Sequence, residues 1–281
     1  MIKRVYSLIR TRGVGVLFGV LYRHVFRPRF VRFQQCAAFF LDKRGLEIGG
    51  PSSVFERRGL FPVYPLAARV DNCNFGDVTV WEGAIQQGAT FQYDNQRAPG
   101  TQYVAEATDL GFIAAGSYDF VLSSHALEHV ANPLQALSEW KRVLKDNAVL
   151  ALILPHRDGT FDHRRPVTAL SHLIDDFERN MGEDDLTHLD EILALHDLAM
   201  DPEAGGDASF KARSMKNIEN RCLHHHVFDT PLAVELVDHM GLQILAVEGH
   251  HPFHIFIIAQ KPSPGVLVQN EAFTGMNTMR H

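Results

Sequence analysis

The residues with the widest chemical scope in this chain are histidines placed beside carboxylates. His125-Ala-Leu-Glu128-His129 follows directly on an apolar run at 119–122, and His156-Arg-Asp158 follows another at 149–154. An imidazole titrates near neutrality, so a positioned histidine can take a proton from a hydroxyl. The neutral ring is also a metal ligand. His163, His188 and the run His224-His225-His226, taken with Asp162, Asp184 and Asp185, offer donors for a metal cluster. Arg164 and Arg165 can pair with a phosphate or carboxylate. His125-x-x-Glu128-His129 formally matches a zinc-peptidase signature. That signature lies within a helix, whereas here it follows a buried strand and the next helix begins only around Pro133.

The elements that would position these groups alternate. Short apolar runs at 46–48, 67–70, 103–105, 120–122 and 149–154 read as buried strands. Leu134, Leu137, Trp140, Val143 and Leu144 recur at helical spacing between the last two, which places a helix on a sheet face. The fold class is α/β, with a Rossmann-like doubly wound and mostly parallel sheet. A helix over 231–240, a strand over 242–247 and a strand over 254–259 close the series. The last two are separated too briefly for a crossover, so the final strand is antiparallel. Open sheets of this kind bind nucleotide-like ligands outside the carboxyl ends of their strands, where a glycine turn lets the backbone approach closely. Gly49 and Gly50 occupy that place, and His156 and Asp158 hang at the same end. No G-x-G-x-x-G is present, which disfavours a nicotinamide enzyme.

The composition, 46% hydrophobic and 21% charged, is that of an ordinary globular protein. Three scattered cysteines indicate neither a disulfide framework nor a Cys-type zinc site, and fit a reducing, cytoplasmic setting. The net charge of −6 conceals an asymmetry. Before Gly45 stand Lys3, Arg4, Arg10, Arg12, Arg23, Arg27, Arg29, Arg32, Lys43 and Arg44 against only Asp42. The apolar run at 14–22 is far short of the roughly 20 residues that span a bilayer. No small-residue cleavage site follows it, so it does not read as a signal peptide. The arm reads as a packed lid or dimer arm, which admits a homo-oligomer, or as a contact with an anionic membrane surface or glycolipid. Nucleic acid is disfavoured because the rest of the chain is acidic.

The segment 118–155 and Gly45-Leu-Glu47-Ile-Gly49-Gly50-Pro-Ser52 together resemble the centre of class I S-adenosylmethionine-dependent methyltransferases. The subgroup it most resembles carries a Leu-Glu-His element after strand four, here Leu127-Glu128-His129, and a helix ending in Arg-Val-Leu, here Arg142-Val143-Leu144. The resemblance implies S-adenosylmethionine as cofactor, held by Glu47, Gly49, Gly50, Asp71 on the ribose diol, Asp109 on the adenine, and Ser124. The family's third alternating glycine is missing, since Pro51 and Ser52 follow Gly50. Quinone-pathway O-methyltransferases with a similar strand four bind a divalent metal here, which implies Glu128 and His129 as ligands with His125 in place of an acid. His156, then His125 or His129, is the expected base. The implied reaction is O-methylation of a small-molecule or glycan acceptor, by analogy with surface-polysaccharide methyltransferases. The alternatives are a metal-dependent hydrolase using the histidine-rich insertion and a non-catalytic binding module. The chain divides into an arm (1–43), a cofactor-binding core (44–155), a His/acid-rich helical insertion (156–228), a final helix and strand pair (229–261) and a tail (262–281).

Overall fold

In a computed structural model, residues 29–278 are described. The apolar run at 14–22 and most of the basic arm lie outside them. No helix among the described residues is long and apolar enough to cross a membrane.

The chain enters through a short helix α1 (Phe33–Cys36) and then builds strands β1 (Arg44–Ile48), β2 (Arg69–Asn74), β3 (Val78–Thr79), β4 (Gly83–Ala84), β5 (Gly88–Phe91), β6 (Gly100–Val104) and β7 (Tyr118–Ser124). Helix α2 (Pro133–Val143) leads into β8 (Leu144–Pro155). Helices α3 (Leu170–Glu178), α4 (Leu189–Leu195), α5 (Asp207–Ser214) and α6 (Asn217–Asn220) follow. The chain then returns to the sheet through α7 (Thr230–His239), β9 (Gln243–His250) and β10 (His254–Gln260). The eight-stranded sheet has the order β5-β6-β2-β1-β7-β8-β10-β9. Pairs from β6 through β8 are parallel. Strand β10 runs antiparallel to β8, with His254 opposite Pro155, as the short connection predicts.

Several boundaries differ from the sequence expectation. The strand expected over 67–70 is β2, Arg69–Asn74, shifted towards the carboxyl end because Asp-Asn-Cys-Asn is extended and buried despite its polarity. The edge strand β5 and the β3–β4 hairpin carry no apolar periodicity, so pattern reading passes over them. Two of the insertion's helices, α5 and α6, are likewise too polar to show a stripe.

Alternate residues along the strands feed two cores. Leu46, Ile48, Val121 and Leu152 pack with Leu134, Leu137 and Trp140 of α2 and with Leu236 and Val237 of α7. Phe120, Leu122 and Ile153 pack on the opposite face with Phe30, Phe40, Phe55 and Phe61. The described end of the arm therefore contributes Phe30 to the core, 1% exposed. Helix α2 starts where Asn132 accepts from the Gln135 amide at 3.1 Å and Pro133 occupies the first turn, where its missing amide hydrogen costs nothing. Trp140 is fully buried and its indole donates to the Ala107 carbonyl at 3.0 Å, which ties α2 to the loop after β6.

Candidate active site

Strands β1, β2, β6 and β7 open at their carboxyl ends onto a cavity of about 470 Å³, a size suited to a small ligand. Chain direction across the sheet reverses between β1 and β7, the switch point at which such sheets take ligands. Gly49 has φ +78°, and a Cβ there would lie 3.1 Å from that of Ala126, so backbone is exposed to the cavity where a side chain would crowd the loop after β7. At Gly50 a Cβ would lie 2.3 Å from the Glu47 carboxyl carbon. Glu47 itself is fully buried beneath this turn. It accepts from the Ser52 amide at 3.0 Å and from the Tyr64 hydroxyl at 2.6 Å, so it shapes the loop rather than facing the cavity. Burial pushes its carboxyl up to about 8.

Asp71 is not at the end of its strand. Register pairs it with Leu46, in mid-sheet. There it accepts from Arg44 at 2.7 Å, Arg69 at 2.8 Å, the Thr101 amide at 2.7 Å and the Tyr118 hydroxyl at 3.0 Å. Burial raises its carboxyl, but these donors hold it below the ordinary carboxylate value. The residue that does reach the cavity from the end of β2 is Asn74. Its amide nitrogen donates to the Gly50 carbonyl at 3.0 Å while its buried Oδ1 has no partner. Ser124, at the end of β7, likewise lines the cavity with an unpartnered Oγ. Asp109 is exposed and lines a neighbouring cleft instead. The acid at the cavity after β6 is Glu106, paired with Arg221 from the insertion. Arg221, with φ +51°, lies over Phe75 and keeps Nε and Nη1 without hydrogen-bond partners.

The Leu127–His129 element is a single 3-10 turn between β7 and α2, so the peptidase reading, which needs a helix, does not apply. His125 sits at φ +53°, its amide held by the Ile153 carbonyl at 2.9 Å. Its Nδ1 lies 3.5 Å from Glu128 Oε1 and its Nε2 lies 2.8 Å from His254 Nδ1. A carboxylate beside Nδ1 favours the tautomer protonated there, which leaves Nε2 to accept from His254 and the outer His254 nitrogen to act as an acceptor. His254 escaped the sequence reading because it looks like a strand residue; only the reversed pairing of β10 with β8 brings it to His125. Burial, then His125 and His250, push His254 down to about 4. Glu128 is 1% exposed and its Oε2 has no partner. Burial raises this carboxyl, but His125, His129 and His224 together hold it below its ordinary value.

The group able to hold a cation at this site is Glu128, His129 and His224, whose ligand atoms lie within 4.8 Å of one another. His125 is replaced in that set by His224. His224 Nδ1 lies 2.5 Å from Asp162 and His129 Nδ1 lies 3.0 Å from the Leu223 carbonyl. Rings whose Nδ1 protons are held by oxygens present Nε2 lone pairs, the usual outer-shell arrangement of metal histidines. Burial and His224 push His129 down to about 4. His156 lies outside the cavity lining, 2% exposed, its Nδ1 accepting from the Asp158 amide at 3.2 Å. Arg165 does not face a ligand: it is buried against Asp162 at 3.0 Å and Glu191 at 2.8 Å, and Arg164 pairs with Asp197 at 2.8 Å.

Residues 65–152 match the family described as a methyltransferase domain. No relative among curated proteins matches. Similar solved structures include an S-adenosylmethionine-dependent methyltransferase from Methanosarcina mazei, 17% identical, covering 86% of this chain and 100% of its own, with TM-score 0.45. A putative one from Listeria monocytogenes is 14% identical, covering 83% and 97%, with TM-score 0.44. A putative methyltransferase from Bacillus halodurans is 12% identical, covering 83% and 98%, with TM-score 0.43. The domain match, on a sheet of this strand order, supports an enzyme that transfers a methyl group. S-adenosylmethionine is the methyl donor it supports, and the hydrolase and binding-module alternatives are not favoured.

Proposed function

We propose that this methyltransferase acts on an oxygen, methylating a hydroxyl of a sugar, glycolipid or other small hydroxylated metabolite. The observation that carries the reading is the chain Glu128, His125, His254 at the cavity mouth, in which a buried carboxylate backs two hydrogen-bonded imidazoles. A hydroxyl must lose its proton as the new bond forms, and imidazoles are suited to receive it. The strand ends of the same cavity suit the donor: Gly49 offers close backbone approach, and Asn74 Oδ1 and Ser124 Oγ are free to bond it. When bound, S-adenosylmethionine supplies a methyl group on a sulfonium centre. The protein's task is then alignment of the acceptor oxygen and removal of its proton.

A divalent cation held by Glu128, His129 and His224 fits the donor set, because Glu128 Oε2 is otherwise a buried acceptor without a partner. Such a cation would lower the pKa of a coordinated hydroxyl. Trp81 and Phe253, which line the same cavity, give the acceptor an apolar wall. The test is methyl transfer from labelled S-adenosylmethionine to a panel of hydroxylated acceptors. His125→Ala is expected to reduce turnover about 10²–10⁴-fold while cofactor affinity stays within about twofold of wild type. Transfer to amines but to no hydroxyl, or unchanged turnover in the variant, would remove the basis for this reading.

A further inference from the structure

Three consecutive histidines, 224 to 226, part company in the fold. His224 joins the cavity group described above, and His226 belongs to a second group, with His172 and His188, that lies outside the cavity lining. His172 and Asp176 stand four residues apart on α3 and so share one face. His188 precedes α4, and His226 precedes α7. His172 Nε2 lies 3.0 Å from His188 Nε2 and 3.4 Å from Asp176 Oδ2; His226 Nε2 lies 3.7 Å from the same Asp176 oxygen. The three imidazole ligand atoms all fall within 4.8 Å of one another.

Two atoms are unexplained by the protein alone. Asp176 is 4% exposed and its Oδ2 has no hydrogen-bond partner. His226 is 1% exposed, and with Nε2 lying 3.2 Å from the Ala131 carbonyl its Nδ1 is also without a partner. One proton shared between His172 and His188 can bridge that pair of nitrogens, but it leaves the Asp176 oxygen unsatisfied. A buried acceptor in that condition costs about 1–3 kcal/mol. A four-coordinate zinc ion with bonds of roughly 2.0–2.1 Å sets its ligands about 3.3 Å apart. The separations His172–His188, 3.0 Å, and His172–Asp176, 3.4 Å, bracket that spacing, and Nδ1 is the nitrogen that His226 has free for the ion.

We infer that His172, His188, His226 and Asp176 form a structural zinc site that fastens α3, the turn before α4 and the segment before α7 to one another. Three imidazoles and a carboxylate suit zinc over the harder magnesium and calcium. The site is closed by four protein ligands and takes no part in methyl transfer, so it stands or falls separately from the proposed reaction.

The test uses the full-length protein carrying Glu128→Gln and His224→Gln, which silences the cavity group. After chelation and dialysis, this protein is titrated with zinc by calorimetry and, in parallel, with cobalt in a spectrophotometer. The expected result is one tight zinc per chain and the intense visible absorption of four-coordinate cobalt. Adding His188→Gln should abolish both, and restoring zinc to the metal-free parent should raise its melting temperature. Absence of zinc uptake, a weak six-coordinate cobalt spectrum, or the same zinc retained after His188→Gln would each overturn the site. If His188→Gln does not fold, the cobalt spectrum of the parent decides alone.

Discussion

Glu47 serves the ligand loop from beneath, with no surface of its own, and that placement gives its protonation a measurable consequence. Its carboxyl titrates near 4.5 when free and is raised by burial to about 8. Between those values the unfolded chain has released the proton and the folded chain has kept it, so the unfolded state binds fewer protons and wild-type stability falls as pH rises. Above about 8 both states are ionised and the loss is complete. Glu47→Gln removes this dependence while leaving an acceptor for the Ser52 amide. On going from about pH 5 to about pH 8, the variant should therefore gain on wild type by on the order of a few kcal/mol in urea unfolding. A difference that does not change with pH would mean that the fold holds Glu47 ionised throughout. His125 and His254 make the complementary point: the chemistry proposed for them comes from a carboxylate on one side and an imidazole on the other.

Strand register decides which polar side chains reach the cavity. The doubly wound, mostly parallel sheet and the reversed last strand were legible in the sequence because alternating apolar runs and a connection too short for a crossover leave little choice. The end of β2 was not. Its last residues, Asp71-Asn72-Cys73-Asn74, look like the start of a loop, so Asp71 reads as the first residue beyond the strand. In the fold Arg44 and Arg69 from the strand beginnings satisfy Asp71, and Asn72 and Asn74 grip Gly50, so polar residues continue the strand to Asn74. The two positions should separate cleanly on substitution. Asp71→Ala is expected to destabilise the protein by about 1–3 kcal/mol, the two arginines being half exposed and able to solvate, with little effect on S-adenosylmethionine affinity. Asn74→Ala should weaken that affinity about tenfold with little change in melting. The reverse pattern in calorimetry would return the ribose contact to Asp71. His224 reads as a metal donor in the sequence, but its place beside Glu128 and His129 was illegible for a related reason: it is distant from them in sequence, and only the path of the insertion, fixed by buried Arg165 bonding the His224 carbonyl at 2.9 Å, delivers it.

Across the whole molecule, the insertion between β8 and α7 is a wall of the cleft rather than an appendage. Arg221 reaches from it to Glu106 after β6, Glu183 accepts from the Ala131 amide at 3.2 Å, and His224 stands against Glu128. A ligand seated between the strand ends and these residues would bind only when both halves are in place, so its free energy is distributed over both. At a cofactor concentration about 100-fold above its Kd the stabilisation is about 2.7 kcal/mol. Hydrogen exchange should then slow in the glycine turn at 49–53, which the sheet positions, and also in the segment 217–226, which the insertion supplies. Arg221 is the lever between them: its buried Nε and Nη1 lack hydrogen-bond partners, although Nε stands 3.8 Å from the Glu183 carboxylate. Arg221→Ala should keep the cofactor's protection of 49–53 while removing most of it from 217–226. Protection confined to 49–53 in the wild-type protein would show instead that the cofactor sees the sheet alone, leaving the insertion to govern only the acceptor.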